Sequence, residues 1–60
     1  MKTYLEQLNE QASPTGMKLL DFFKLSGVPT STYYRSLGGQ EMRLSTAMKV
    51  EDAIRTYTLH

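Results

Sequence analysis

The sequence predicts an all-α chain: one compact four-helix domain spanning residues 1–60, built around a central pair of helices joined by a tight turn, with room for a short C-terminal extension. Three observations predict it. Apolar residues recur at helical spacing along most of the chain. The run Leu19 to Gly38, LLDFFKLSGVPTSTYYRSLG, is broken at Ser26-Gly27-Val28-Pro29 and resumes at once as a second helical segment. Ser13-Pro14 and Gly38-Gly39 mark two further boundaries, where a proline and paired glycines stop a helix.

The first helix is expected to start near Tyr4. Thr3 and Glu6 fit a capping box, in which Thr3 accepts from the Glu6 N–H and the Glu6 carboxylate accepts from the Thr3 N–H. Tyr4, Leu5, Leu8 and Ala12 then share one face. Ser13-Pro14 ends this helix, and with Ser13 as N-cap and Pro14 in the first turn it opens a second, about Pro14 to Ser26. Gly16 weakens that first turn, so the ordered part is expected to begin nearer Met17. Met17, Leu19, Leu20, Phe22, Phe23 and Leu25 make this helix apolar almost all round, which predicts a central helix surrounded by the others. Gly27 closes it, Val28 anchors the turn, and Pro29 opens a short third helix to Leu37. Gln40 to Leu44 reads as a loop. Ser45 is expected to cap a fourth helix, about Thr46 to Tyr57, with Ala47, Val50, Ala53, Ile54 and Tyr57 facing the core. Arg55 to His60 alternates polar and apolar residues and reads as a frayed end or a short strand.

Composition narrows the function. A chain of 60 residues buries only about 60% of its unfolded surface, leaving room for one site or interface and none for a deep catalytic cleft. There is no cysteine, so disulfides and thiolate zinc sites are excluded. The lone His60 is terminal and reads as a frayed end or tag remnant. No apolar run approaches the ~20 residues of a membrane span, and acids interrupt the N-terminus, so a cytoplasmic protein is expected. Catalytic groups do not converge, no glycine-rich phosphate loop is present, and the adjacent Glu51 and Asp52 diverge by about 100° on a helix. No enzyme, cofactor, metal or small-molecule substrate is therefore expected. Net charge is +1, yet residues 13–50 hold Lys18, Lys24, Arg35, Arg43 and Lys49 against Asp21 and Glu41, for +3. Both flanks are −1. Positive charge thus collects on the middle segment, as a phosphate backbone would require.

The central pair has the parts of a helix-turn-helix: an apolar bracing helix, a glycine turn, and a second helix with few inward anchors. Tyr33 and Leu37 are expected to face in, leaving Thr30, Ser31, Tyr34 and Arg35 facing out. Leu19 to Gly39 resembles the Cro/repressor (XRE-type) helix-turn-helix. The run Ser-Gly-Val-Pro-Thr-Ser-Thr-Tyr-Tyr-Arg is also similar to turns in TetR-type regulators and transposase N-terminal domains. The resemblance covers about Pro14 to Tyr57, and the chain is about the size of a phage Cro. It implies a small phage-type repressor that binds double-stranded operator DNA as a homodimer. By position it puts Pro29, Thr30, Ser31, Tyr34 and Arg35 at base-edge and phosphate contacts, and Lys18 near a backbone contact.

The side-chain chemistry adds to this. Arg35 can hold guanine bidentately or clamp a phosphate. Thr30, Ser31 and Thr32 are short hydroxyls that let the backbone approach phosphates, Thr30 serving alternatively as a helix cap. Tyr34 can donate its hydroxyl to a phosphate or pack half-buried. Arg43 and Lys49 can reach the flanking backbone or simply be solvated. Three departures from the family carry expectations of their own. Phe23 replaces a usual alanine, predicting wider spacing or another crossing angle between the paired helices. Leu19 and Leu20 stand at positions often polar and DNA-facing. Ser36 stands at a usually apolar position, so Leu37 is expected to supply that anchor, and the rotation this requires would exchange Tyr33 and Tyr34. The alternative reading is a helical protein–protein interaction module, adaptor or antitoxin-like, using the apolar excess of the second helix or the C-terminal end.

Overall fold

Thr3 sets where the chain first becomes helical. Its Oγ1 accepts from the Glu6 N–H at 3.2 Å, and helix α1 runs Tyr4–Ala12. In place of the reciprocal Glu6 bond, the Glu41 carboxylate, 37 residues away, accepts from the Tyr4 N–H at 3.3 Å. A computed structural model describes residues 2–59. Among them are α1, α2 (Leu19–Ser26), α3 (Thr30–Leu37) and α4 (Leu44–Thr58), and no strand. The expectation for His60 lies outside the described residues. Among these residues no helix is long and apolar enough to cross a membrane.

The second helix starts later than the sequence predicts. Ser13 ends α1, its N–H donating to the Asn9 carbonyl, rather than capping a new helix. Ser13–Thr15 forms a 3₁₀ turn, held by the Thr15 hydroxyl, which donates to the Ala12 carbonyl at 2.6 Å and accepts from the Met17 N–H at 3.1 Å. Gly16 follows at φ 80, and Lys18, extended, precedes the first helical residue, Leu19. The hydroxyl and the glycine together favour a turn over a helix. Eight residues of α2 then bury Leu19, Phe22 and Phe23 only. Leu25 is 65% exposed, so the helix is not covered all round as expected: α1, α3 and α4 close one face of it and leave the other open.

Gly27, at φ 79, closes α2. Its N–H donates to the Lys24 carbonyl, and the Val28 N–H donates to that of Phe23 at 3.1 Å, which points Val28 into the core. Pro29 is the cap of α3 rather than its first residue, and Thr30 is helical, so Thr30 does not act as the cap. The same pair of closing bonds ends α3 at Gly39, φ 104, with the Gln40 N–H donating to the Arg35 carbonyl at 3.1 Å. Arg43, not Ser45, precedes the fourth helix, which begins at Leu44. The reason is Met42, only 6% exposed, which draws the loop against the core and sets the helix start two residues early. At the other end, residues 55–58 continue α4 instead of forming a strand, and the Thr58 hydroxyl donates back to the Arg55 carbonyl at 2.9 Å.

Eleven of the described residues form one core: Leu5, Leu8 and Ala12 of α1; Leu19, Phe22 and Phe23 of α2; Val28; Met42; Ala47, Val50 and Ile54 of α4. Phe22 and Phe23 are fully buried, each contributing about 1.5–3 kcal/mol by transfer from water. Helix α3 contributes no buried residue. It is held through Tyr33, whose ring meets Phe23 edge-on at 5.5 Å between centroids.

Candidate nucleic-acid interface

The inward and outward faces of α3 follow from its anchors. Tyr33 and Ser36 are half-buried toward the body of the protein, while Ser31, Tyr34 and Arg35 are exposed. Leu37 was expected inward and is instead 56% exposed. Phe23 explains this. Its bulk fills the space between α2 and α3 and meets Tyr33, so a small residue suffices at position 36 and no rotation toward Leu37 follows. Tyr33 and Tyr34 keep separate roles. Tyr34, 58% exposed, rests edge-on against Tyr33 at 5.4 Å, so an unbroken line of rings runs from the core to the surface. Ser36 Oγ is buried without a hydrogen-bond partner, a local cost of about 1–3 kcal/mol.

Two grooves flank α3. Thr32, Arg35 and Arg43 share the first, about 260 Å³, with Gln40, Glu41, Met42 and Thr46. Lys18 and Tyr34 share the second, about 660 Å³, with Met17, Leu20 and Leu37. Pro29, Thr30 and Ser31 lie at the leading end of α3 between them. The eight residues singled out in the sequence therefore fall on α3 itself or on one of its two flanks. Lys49 does not join them; it borders a different groove beside Leu25 and Tyr57. Gln40 and Thr46 were missed in the sequence. The signal for Thr46 was its place one turn after Arg43; Gln40 had none, because the course of the loop decides its position.

The cations of the middle segment differ from those of the flanks. Lys2 pairs with Glu10, and Arg55 pairs with Glu51 at 3.0 Å and Asp52 at 3.7 Å. Among the described residues Lys18, Lys24, Arg35, Arg43 and Lys49 make no ion pair. Glu41, one of two acids in the middle segment, borders the same groove as Arg35 and Arg43, and its carboxylate accepts from the Tyr4 and Met42 N–H groups. No side chain caps α3 or α4, and neither has an acid in its first turn. Their N-terminal N–H groups thus have no side-chain cap; Arg43 stands at the start of α4, where the two together are complementary to phosphate, while Arg35 lies in the last turn of α3. No group of three His, Cys, Asp or Glu side chains among the described residues is placed to hold a metal ion.

No family model matches the chain, and no solved structure matches it. Over 54 residues it is 32% identical to a protein of Methanocaldococcus jannaschii described as an uncharacterized HTH-type transcriptional regulator. The match takes in 90% of this chain and 31% of that relative, so the chain spans about a third of the relative's length. The likeness is to the helix-turn-helix class and does not single out the Cro/repressor type.

Proposed function

We propose that this chain reads double-stranded DNA for a transcriptional regulator, with α3 in the major groove. The observation that carries the reading is α3 itself: a helix with no buried residue, no side-chain cap and no acid in its first turn, carrying Arg35 and flanked by Lys18 and Arg43, none of them in an ion pair among the described residues. A helix left so open is poorly explained by packing and well explained by contact. Ser31 and Arg35 face outward where base edges would lie, with Arg35 suited to guanine. Pro29, Thr30 and Thr32 bring the leading turn close to phosphates, Tyr34 adds a hydroxyl, and Lys18 and Arg43 neutralise the backbone on either side. The regulator named among its relatives supports the same reading.

The finer reading is a repressor of the Cro type that binds a palindromic operator as a homodimer. One copy makes few contacts, and two half-sites about one helical turn apart would supply the missing specificity. Selection of bound sequences from a random duplex library tests this directly. A palindromic consensus is expected. Enrichment of single half-sites would remove the dimer, and no enrichment would favour the interaction module, for which exposed Leu25 and Leu37 are the specific observation.

A further inference from the structure

We infer that the groove between the C-terminal end of α2 and the second half of α4 is where two copies of this chain pair. The inference rests on the dimeric reading above and supplies the surface that reading lacks. The groove, about 440 Å³, has Leu25 on one wall and Ala53 and Tyr57 on the other. Leu25 is 65% and Tyr57 43% exposed. Ala53 is small, which lets a second helix come close, and Leu25 protrudes at the edge where a second copy would lie.

Charge selects a second copy as the occupant. A two-fold interface sets a patch against itself, so a patch of one sign repels and a patch holding both signs one turn apart attracts. Lys49 and Asp52 border this groove three residues apart on α4. Among the described residues Lys49 makes no ion pair, and Asp52 has only a loose contact with Arg55 at 3.7 Å. Antiparallel pairing of α4 brings each Lys49 to the partner's Asp52. Two other apolar grooves fit self-pairing less well. The one beside Leu20 and Leu37 has Lys18 as its only charge, so self-pairing would oppose like charges, and it shares Tyr34 with the proposed DNA face. The one beside Leu44 and Met48 has Glu51 as its only charge, already engaged by Gln11 and Arg55. The Leu25 groove uses none of the eight residues assigned to DNA, so pairing there leaves them free.

Sedimentation equilibrium of the full chain, alone and with a mixed-sequence duplex at ~50 mM salt, tests the inference. Circular dichroism checks that each variant stays folded. A dimer is expected, at the latest on DNA. Leu25→Asp and Lys49→Asp should each weaken it about tenfold or more, and the charge swap Lys49→Asp with Asp52→Lys should restore it to within a few-fold of wild type. A chain that stays monomeric both free and on the duplex overturns the inference, as does a dimer indifferent to both single substitutions. Failure of the two proposals looks different. Duplex binding by a monomer would overturn the pairing surface and leave the DNA reading intact. A dimer broken by Lys49→Asp and rescued by the swap, in a chain that ignores duplex, would support the surface and remove the DNA reading.

Discussion

Helices α1 and α3 are nearly equal in length, nine and eight residues, and are treated in opposite ways. In α1, Leu5, Leu8 and Ala12 are buried, Thr3 caps the N-terminus, Glu41 closes it from across the fold, and Glu10 is paired with Lys2. In α3 no residue is buried, no side chain caps the start, and Arg35 makes no ion pair among the described residues. The first helix has its needs met within the protein. The other keeps donors and charge available for something outside it. The difference teaches that exposure in so small a domain is informative: a chain with a thin stability margin that still leaves one helix uncovered is using that helix for contact.

If this contrast is right, the two helices respond differently to substitution. The largest effect on stability should come from Leu8→Ala, where a side chain only 2% exposed leaves a cavity: about 2–5 kcal/mol by urea unfolding, enough to unfold much of the population. Leu37→Ala on α3 removes the same atoms from solvent and should change stability by less than ~0.5 kcal/mol. A comparable loss at both positions would erase the distinction. Arg35→Ala should leave Tm unchanged and cost about 1–3 kcal/mol in duplex binding, with preference relaxed at one base pair; unchanged affinity and preference would mean that another face is used. Removing the cap by Thr3→Ala should cost about 0.5–2 kcal/mol in unfolding, whereas Thr30→Ala, which caps nothing, should cost less than ~0.5. The smallest effect sharpens the picture of α3: Ser36→Ala removes a buried hydroxyl that has no partner and should be neutral or stabilising by up to about 1 kcal/mol. Destabilisation there would show that the hydroxyl is engaged after all.

Much of this architecture is legible in local chemistry. The start of α1, the closures at Gly27 and Gly39, and the outward placement of Ser31, Tyr34 and Arg35 depend on residues within a few positions of one another, and caps, positive φ and helical period express them. What escapes is set by distant neighbours. Met42 looks like one residue of a polar loop, and its burial depends on a core assembled from α1, α2 and α4. Glu41 closes α1 only because the fold brings the loop to Tyr4. Leu25 and Leu37 are apolar at helical spacing and yet exposed, because period says which residues share a face and not how many faces find a cover. The later start of the second helix has a local reason, a threonine hydroxyl that holds the turn on both sides of Gly16. At the candidate interface, the residue types could be read from the sequence, but the absence of ion pairs at Lys18, Arg35 and Arg43 required the fold.

The central claim is that α3 and its flanking cations meet a phosphate backbone, and the salt dependence of duplex binding tests it most directly. Affinity should fall linearly on logarithmic axes, by about 0.9 per phosphate neutralised, and replacing Lys18, Arg35 and Arg43 together by alanine should flatten the slope by about two such increments, one each for Lys18 and Arg43. Binding that is undetectable at ~50 mM salt and high micromolar protein, or whose slope is the same in the triple variant, would contradict it.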